Sequence, residues 1–156
     1  MNKSKIGIIV LSLLIVLALV FIFGNSLKNR EDSGADSGVI AKLIEPVFNV
    51  VFGENHGIDV HHLVRKAAHF TEFCALGIIA FFMCRALGKA FKIKLFGFAL
   101  FFVLAAAVTD EFIQMFSDRG SSVSDIVLDF CGAATGMLVC TLAIFIKSKI
   151  GKGRRN

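Results

Sequence analysis

Arg65-Lys66-Ala67-Ala68-His69-Phe70-Thr71-Glu72-Phe73 heads an apolar run that continues to about Leu87. Whether that run crosses a membrane or lies on a soluble core decides the architecture of the whole chain. About 20 predominantly apolar residues span a bilayer as a helix, and residues 64–87 are long enough. Ionisable groups at the head of such a run need a reason. At 100° per residue Arg65, His69 and Glu72 fall within about 60° of one another, which makes one polar stripe on a helix. An ionisable group at the bilayer centre costs roughly 2.5–3.5 kcal/mol on insertion scales, so each member must face protein or water and find a partner. Two later stretches can supply partners: Asp110-Glu111-Phe112-Ile113-Gln114, ending the next apolar run, and Asp125-Ile126-Val127-Leu128-Asp129, opening the one after.

The composition agrees with a membrane protein. Of 156 residues 56% are hydrophobic, with one Pro, and the mean hydropathy is +0.76, well above the apolar fraction of soluble domains. Seventeen Phe stand beside no Trp and no Tyr, so Lys, Arg and Phe must mark the interfaces that an aromatic belt usually marks. The net charge of +5 does not point to nucleic acid, because Lys3 and Lys5, then Arg85, Lys89, Lys92 and Lys94, then Lys147, Lys149, Lys152, Arg154 and Arg155 make three basic clusters that contain no acid. All 12 acids lie between Glu31 and Asp129. This is positive-inside asymmetry, and it predicts a multi-pass protein of the cell membrane with both termini cytoplasmic. Cys74, Cys84, Cys131 and Cys140 sit in apolar segments without a C-x-x-C pair and read as reduced, buried core residues.

Taken in order, residues 6–23 carry no charge and follow two Lys. They read as an uncleaved first helix, because the run ends Leu19-Val20-Phe21-Ile22-Phe23 without a small-x-small cleavage site. Residues 24–63 read as an external loop. Within it Val39 to Phe52 is too short to span and contains Pro46, so it is either an amphipathic or re-entrant segment on the outer leaflet or a short helix packed over the bundle mouth. Further spans are expected at about 64–87, 93–109 and 126–146, with Ser124 or Asp125 capping the last and a basic cytoplasmic tail at 147–156. Asp125, Asp129, Gly132 and Gly136 share a face within about 60°, and Gly132-x-x-x-Gly136 permits close approach of another backbone. The expected fold is all-α: a single-domain bundle of four transmembrane helices, residues 1–156.

Collected at the outer end, Arg65, Lys66, His69, Glu72, Asp110, Glu111, Gln114, Arg119, Asp125 and Asp129 form a nearly charge-balanced cluster. It could be a metal site, an acid/base dyad, a proton or ion path, a cradle for a phosphate or carboxylate headgroup, or a self-satisfied network that holds helices in register. The metal signal is weak and no metal is assigned: His69-x-x-Glu72 offers two ligands one turn apart, the other candidates are all carboxylates, and the other histidines, His56, His61 and His62, fall in the loop. No cofactor is implied, and there is no nucleophile elbow or phosphate-binding glycine loop. The reading leans away from an enzyme and keeps proton transfer by His69 with Glu72 or Asp110 as the alternative.

Three motifs resemble the VanZ-like family of membrane proteins, named for a teicoplanin-resistance accessory. They are R-K-x-x-H-F-x-E-F from Arg65 to Phe73; D-E-x-x-Q-x-F from Asp110 to Phe116; and Arg119 followed by Asp125, Asp129, Gly132 and Gly136. The chain departs from the family pattern at Ser117-Asp118, where many relatives carry Pro-Gly, and keeps only Asn25-Ser26 and Ser37-Gly38 of the Ser and Gln pattern after the first helix. The resemblance implies a role in the cell envelope of a Gram-positive host and lowered susceptibility to teicoplanin-type glycopeptides. The implied partners are membrane lipids, a lipid-linked cell-wall precursor or the lipoglycopeptide. On this reading Arg65, Lys66 and Arg119 would bind the anion, and His69, Glu72, Asp110, Glu111 and Asp129 would orient those bases. The oligomeric state is left open.

Overall fold

The computed structural model describes residues 3–28, 30–53, 57, 59–91, 95–117 and 121–153, and the side chains of these except 3, 4, 30–37, 39, 52, 152 and 153. Among these residues five helices follow one another: α1 (Lys3–Ser26), α2 (Arg30–Phe52), α3 (Val60–Phe91), α4 (Phe96–Gln114) and α5 (Val123–Gly153). There is no strand among the described residues. All but α2 are long and apolar enough to cross a membrane, as expected of a chain whose backbone must satisfy its own hydrogen bonds in lipid. The protein is a multi-pass, all-helical membrane protein.

α1 shows why lipid is required. Leu13, Val16, Leu17 and Val20 all point outward and are more than half exposed, and burying a side chain of this kind is worth about 1.5–3 kcal/mol relative to leaving it in water. Its inner ridge of Ala18, Leu19, Ile22 and Phe23 packs on a core built from Phe73, Leu76 and Ala80 of α3, Val103 and Ala107 of α4, and Ala133 and Met137 of α5.

The most extensive helix contact is α3 on α5, and glycine makes it possible. A Cβ on Gly132 would strike the carbonyl oxygen of Phe70, one on Gly136 that of Cys74, and one on Gly77 that of Ala133. The two backbones therefore touch directly, in the small-residue packing that replaces hydrophobic driving force inside a membrane. The face expected to carry Gly132 and Gly136 toward α3 does so, and Gly77 answers it from the other side.

Residues 24–63 differ from the expected loop. α1 reaches Ser26, and α2 runs as one helix of 23 residues through Pro46. It packs on the head of α3, with Ala41, Ile44 and Phe48 against Val60 and Val64. Composition reads as loop-like because the first half of α2 is polar; its apolar second half is the helix packed over the bundle mouth, one of the two readings of Val39 to Phe52. Gly53, at φ 84°, ends α2 by donating its N–H to the Asn49 carbonyl, a left-handed helix end that glycine adopts without strain. Asp59 then caps α3, its Oδ1 accepting the His62 N–H at 3.0 Å.

The spans are also longer than expected: α3 starts at Val60, α4 continues through Asp110 to Gln114, and α5 carries Lys147 and Lys149 on helix rather than in a tail. Hydropathy marks the part of a helix that lipid surrounds, whereas the hydrogen-bond ladder continues until a cap ends it. The cysteines are free, but none is the fully buried core residue expected: Cys131 is exposed, and Cys74, Cys84 and Cys140 are half-buried. An apolar segment of a membrane helix has lipid as well as core to face.

Candidate functional site

The polar residues of four helix ends meet where α1 finishes, α3 begins, α4 finishes and α5 begins. Asp110 lies at the centre and is wholly buried. Its Oδ1 accepts the Ser26 hydroxyl at 2.6 Å and its Oδ2 accepts the Gln114 side-chain amide at 2.8 Å. Ser26 is the last residue of α1, and its carbonyl accepts the Ser117 hydroxyl at 2.9 Å. These bonds tie α1 to α4 with polar groups alone. One residue earlier, the Asn25 amide donates to Glu72 Oε1 at 3.1 Å, so α1 also holds the carboxylate of α3.

Glu111, buried beside Asp110, accepts the Ser122 backbone N–H at 2.8 Å. Ser122 is itself the N-cap of α5, its hydroxyl accepting the Ser124 N–H at 3.2 Å. The cap expected at Ser124 or Asp125 therefore falls earlier in the chain, and Asp125 sits inside the first turn, where the positive helix end favours a carboxylate. From there Asp125 pairs with Lys66 of α3 at 2.8 Å. Arg65 is half-buried and donates to His62 Nδ1 at 3.2 Å on the exposed side.

His69 and Asp129 occupy the space between. His69 Nδ1 lies 3.6 Å from Asp110 Oδ2 and 3.8 Å from Asp129 Oδ1, beyond hydrogen-bond range. Asp129 is fully buried, and neither of its oxygens accepts a hydrogen bond among the described residues. The glycine contact at Gly132, one turn further along α5, sets how closely Asp129 approaches α3. A cavity of about 20 Å³ opens onto this space between Arg65, Lys66 and His69 of α3, Glu111 and Gln114 of α4, and Asp125, Leu128 and Asp129 of α5.

Nine of the ten residues collected from the sequence therefore stand at one end of the bundle; Arg119, the tenth, lies outside the described residues. Of the two partners considered for His69 in proton transfer, Glu72 and Asp110, the fold sets Asp110 beside it. Spacing along the chain pairs His69 with Glu72 and offers no metal site on that pairing, whereas in the fold His69 stands against Asp110 and Asp129. Sequence reasoning also misses Asn25, Ser26, Ser117 and Ser122 as members of the site. The available signal is a polar pair, Asn25-Ser26, directly after an uncharged run: in a membrane helix the last turn is where a polar side chain reaches its neighbours.

The arrangement is chemically versatile. Its rim carries two bases, its wall carries carboxylates held by hydroxyl and amide donors, and its floor holds an imidazole between two carboxylates. The fold and the site together define a polytopic helical membrane protein with a buried ionisable cluster at one end of its bundle. The model of the VanZ/LLP1 family matches residues 10–145, and the chain belongs to that family. No curated protein and no solved structure matches it.

Proposed function

We propose that this VanZ-family protein works in the cell envelope by engaging the anionic headgroup of a membrane lipid or lipid-linked cell-wall precursor at its charged cleft. Engagement there would lower susceptibility to teicoplanin-type glycopeptides. The observation that supports this best is the rim. Lys66 and Arg65 stand at the mouth of a polar cleft, with Lys66 held by Asp125 at 2.8 Å, a geometry that presents cations to an anion. The cavity behind them takes about one water-sized guest, so the headgroup would meet the rim and send in only an oxygen. The basic clusters at Lys3 and Lys5, at Arg85 and Lys89, and at Lys147 and Lys149 favour the orientation with both termini cytoplasmic and the cleft outside.

The test is glycopeptide susceptibility of a Gram-positive host expressing the wild-type chain, Lys66→Gln or Glu72→Gln at equal membrane abundance. Protection by the wild type that Lys66→Gln loses supports the reading. If neither variant differs from wild type, the headgroup reading is wrong. Orientation is checked separately by reporter fusions at the two termini, both of which should report the cytoplasm.

A second reading is favoured by the 3.6 Å approach of His69 to Asp110: an intramembrane acid/base enzyme acting on a lipid-linked envelope substrate. It differs in kinetics. An enzyme loses turnover but keeps affinity when Asp110 becomes Asn, whereas a binder loses affinity.

A further inference from the structure

The rim and the floor of the cleft are built differently, and the floor has the features of a cation site. His69 of α3, Asp110 of α4 and Asp129 of α5 each offer one potential ligand atom, and these atoms all lie within 4.8 Å of one another. The 3.6 and 3.8 Å separations from His69 Nδ1 are too long for hydrogen bonds. They lie close to the separation of roughly 3.3 Å that two N or O ligands adopt around one tetrahedral ion at ordinary zinc bond lengths. We propose that His69, Asp110 and Asp129 form a binding site for a divalent transition-metal ion.

Three further observations support the assignment. Asp129 is a buried carboxylate with neither oxygen hydrogen-bonded among the described residues, and such a group needs a cation or a donor beside it. The Asp110 carboxylate is fixed in place: Ser26 and Gln114 each donate to one of its oxygens, the outer-shell support that sets ligand orientation in metal sites. The cavity that reaches His69 and Asp129 measures about 20 Å³, room for about one ion or one water.

The donor set narrows the metal. Two carboxylates neutralise a divalent charge, and one imidazole nitrogen selects zinc, manganese or iron(II) over calcium and magnesium, which prefer all-oxygen ligands. No cysteine joins the group, so a soft ion such as copper(I) is disfavoured. The site stands on the floor residues alone. That an anion's oxygen would complete the ion's coordination from the rim rests on the headgroup reading, and the two can fail separately.

The test uses the full chain, purified in detergent, stripped with chelator and titrated with Zn2+, Mn2+ and Mg2+ by calorimetry, with Co2+ absorption reporting the nitrogen ligand. The wild type should take up one Zn2+ or Mn2+ per chain in preference to Mg2+, and its unfolding temperature should rise with the ion. Asp129→Asn and His69→Gln should each weaken the ion at least about tenfold, and Ser26→Ala should weaken it by about tenfold through Asp110. Lys66→Gln, at the rim, should leave metal affinity unchanged whatever it does to lipid binding. The proposal is overturned if the monodisperse wild type shows neither uptake nor an ion-dependent rise in unfolding temperature. It is equally overturned if Asp129→Asn binds as tightly as wild type, which would assign the floor to an imidazolium bridging two carboxylates.

Discussion

The two ends of this bundle are made by the same four helices and hold together by different physics. At the site end, beside the apolar patch of Ala41, Val60 and Val64, all the buried polar side chains gather, Ser26, Asp110, Glu111, Gln114, Ser117 and Asp129 among the described residues, and most are joined by hydrogen bonds that run between helices. At the basic end the buried side chains are Ala80, Phe81 and Ala99, and an open groove of about 550 Å³ lies between Phe81, Phe96, Ile144 and Phe145. Arg85 there stacks 5.7 Å over Phe81 and Lys149 5.6 Å over Phe145. A hydrogen bond between helices has direction and fixes geometry, whereas apolar contact in a membrane competes with lipid tails of the same character. The site end is thus the specified end, and the basic end is free to be loose.

The largest test of that contrast is the glycine seam that leads into the site end. Gly132→Val forces a side chain into the Phe70 backbone and should cost about 3 kcal/mol or more, since backbone cannot step aside as a flexible side chain does. Gly97→Ala, near the basic end with nothing within 4 Å of the added carbon, should be neutral or stabilise by up to about 1 kcal/mol through helix propensity. Denaturant titration in mixed micelles reads both. Equal effects would erase the difference between the ends.

Next in size is Asp110→Ala. It leaves the Ser26 hydroxyl and the Gln114 amide buried without their acceptor, a loss of about 2–3 kcal/mol in the same titration. At the basic end Phe96→Ala should cost less than about 1 kcal/mol, because the ring is 53% exposed and lipid replaces its contacts. If Phe96→Ala proves the costlier of the two, the groove is a packed interface and the comparison is reversed.

Smaller again is the ion pair at the rim. Lys66 and Asp125 keep 32% and 26% of their side-chain surfaces exposed, so Lys66→Gln should change stability by less than about 1 kcal/mol. Measured by thermal unfolding, a much larger loss would make the rim structural rather than available to a ligand.

The smallest effect concerns the cap of α3. The His62 N–H holds the Asp59 carboxyl below its ordinary 3.8, so the cap's contribution is complete above the unfolded value, near pH 4, and is lost as pH falls through the lowered folded value. Amide exchange at the start of α3 should accelerate across that window, and Asp59→Asn should remove the dependence. A response that spreads to the Asp110 network would show that cap and site share one cooperative unit.

Apolar run length, stripe geometry and basic clustering were enough to find the spanning helices and the ionisable residues that share one end, because lipid punishes unpaired charge wherever it falls. The Gly132 and Gly136 face was legible for the same reason: two glycines one turn apart have few uses in a membrane helix other than close approach. α2 was legible only in its apolar half, Val39 to Phe52, since its polar half carries no periodic signal. Ser26 was not legible, because a single serine at a helix end acquires meaning only from what lies opposite it.

The sequence by itself determined that this is a multi-pass helical protein and which charged residues must cluster, since both follow from the cost of exposing charge and backbone to lipid. Only the tertiary structure decided the partners: that Ser26 and Gln114 hold Asp110, that Asn25 donates to Glu72, and that His69 faces Asp129 across the floor of the cleft. Helical periodicity places a side chain on a face. The height at which two helices touch is set by the close backbone contacts at Gly77, Gly132 and Gly136, and that height selects which residues of the two faces meet.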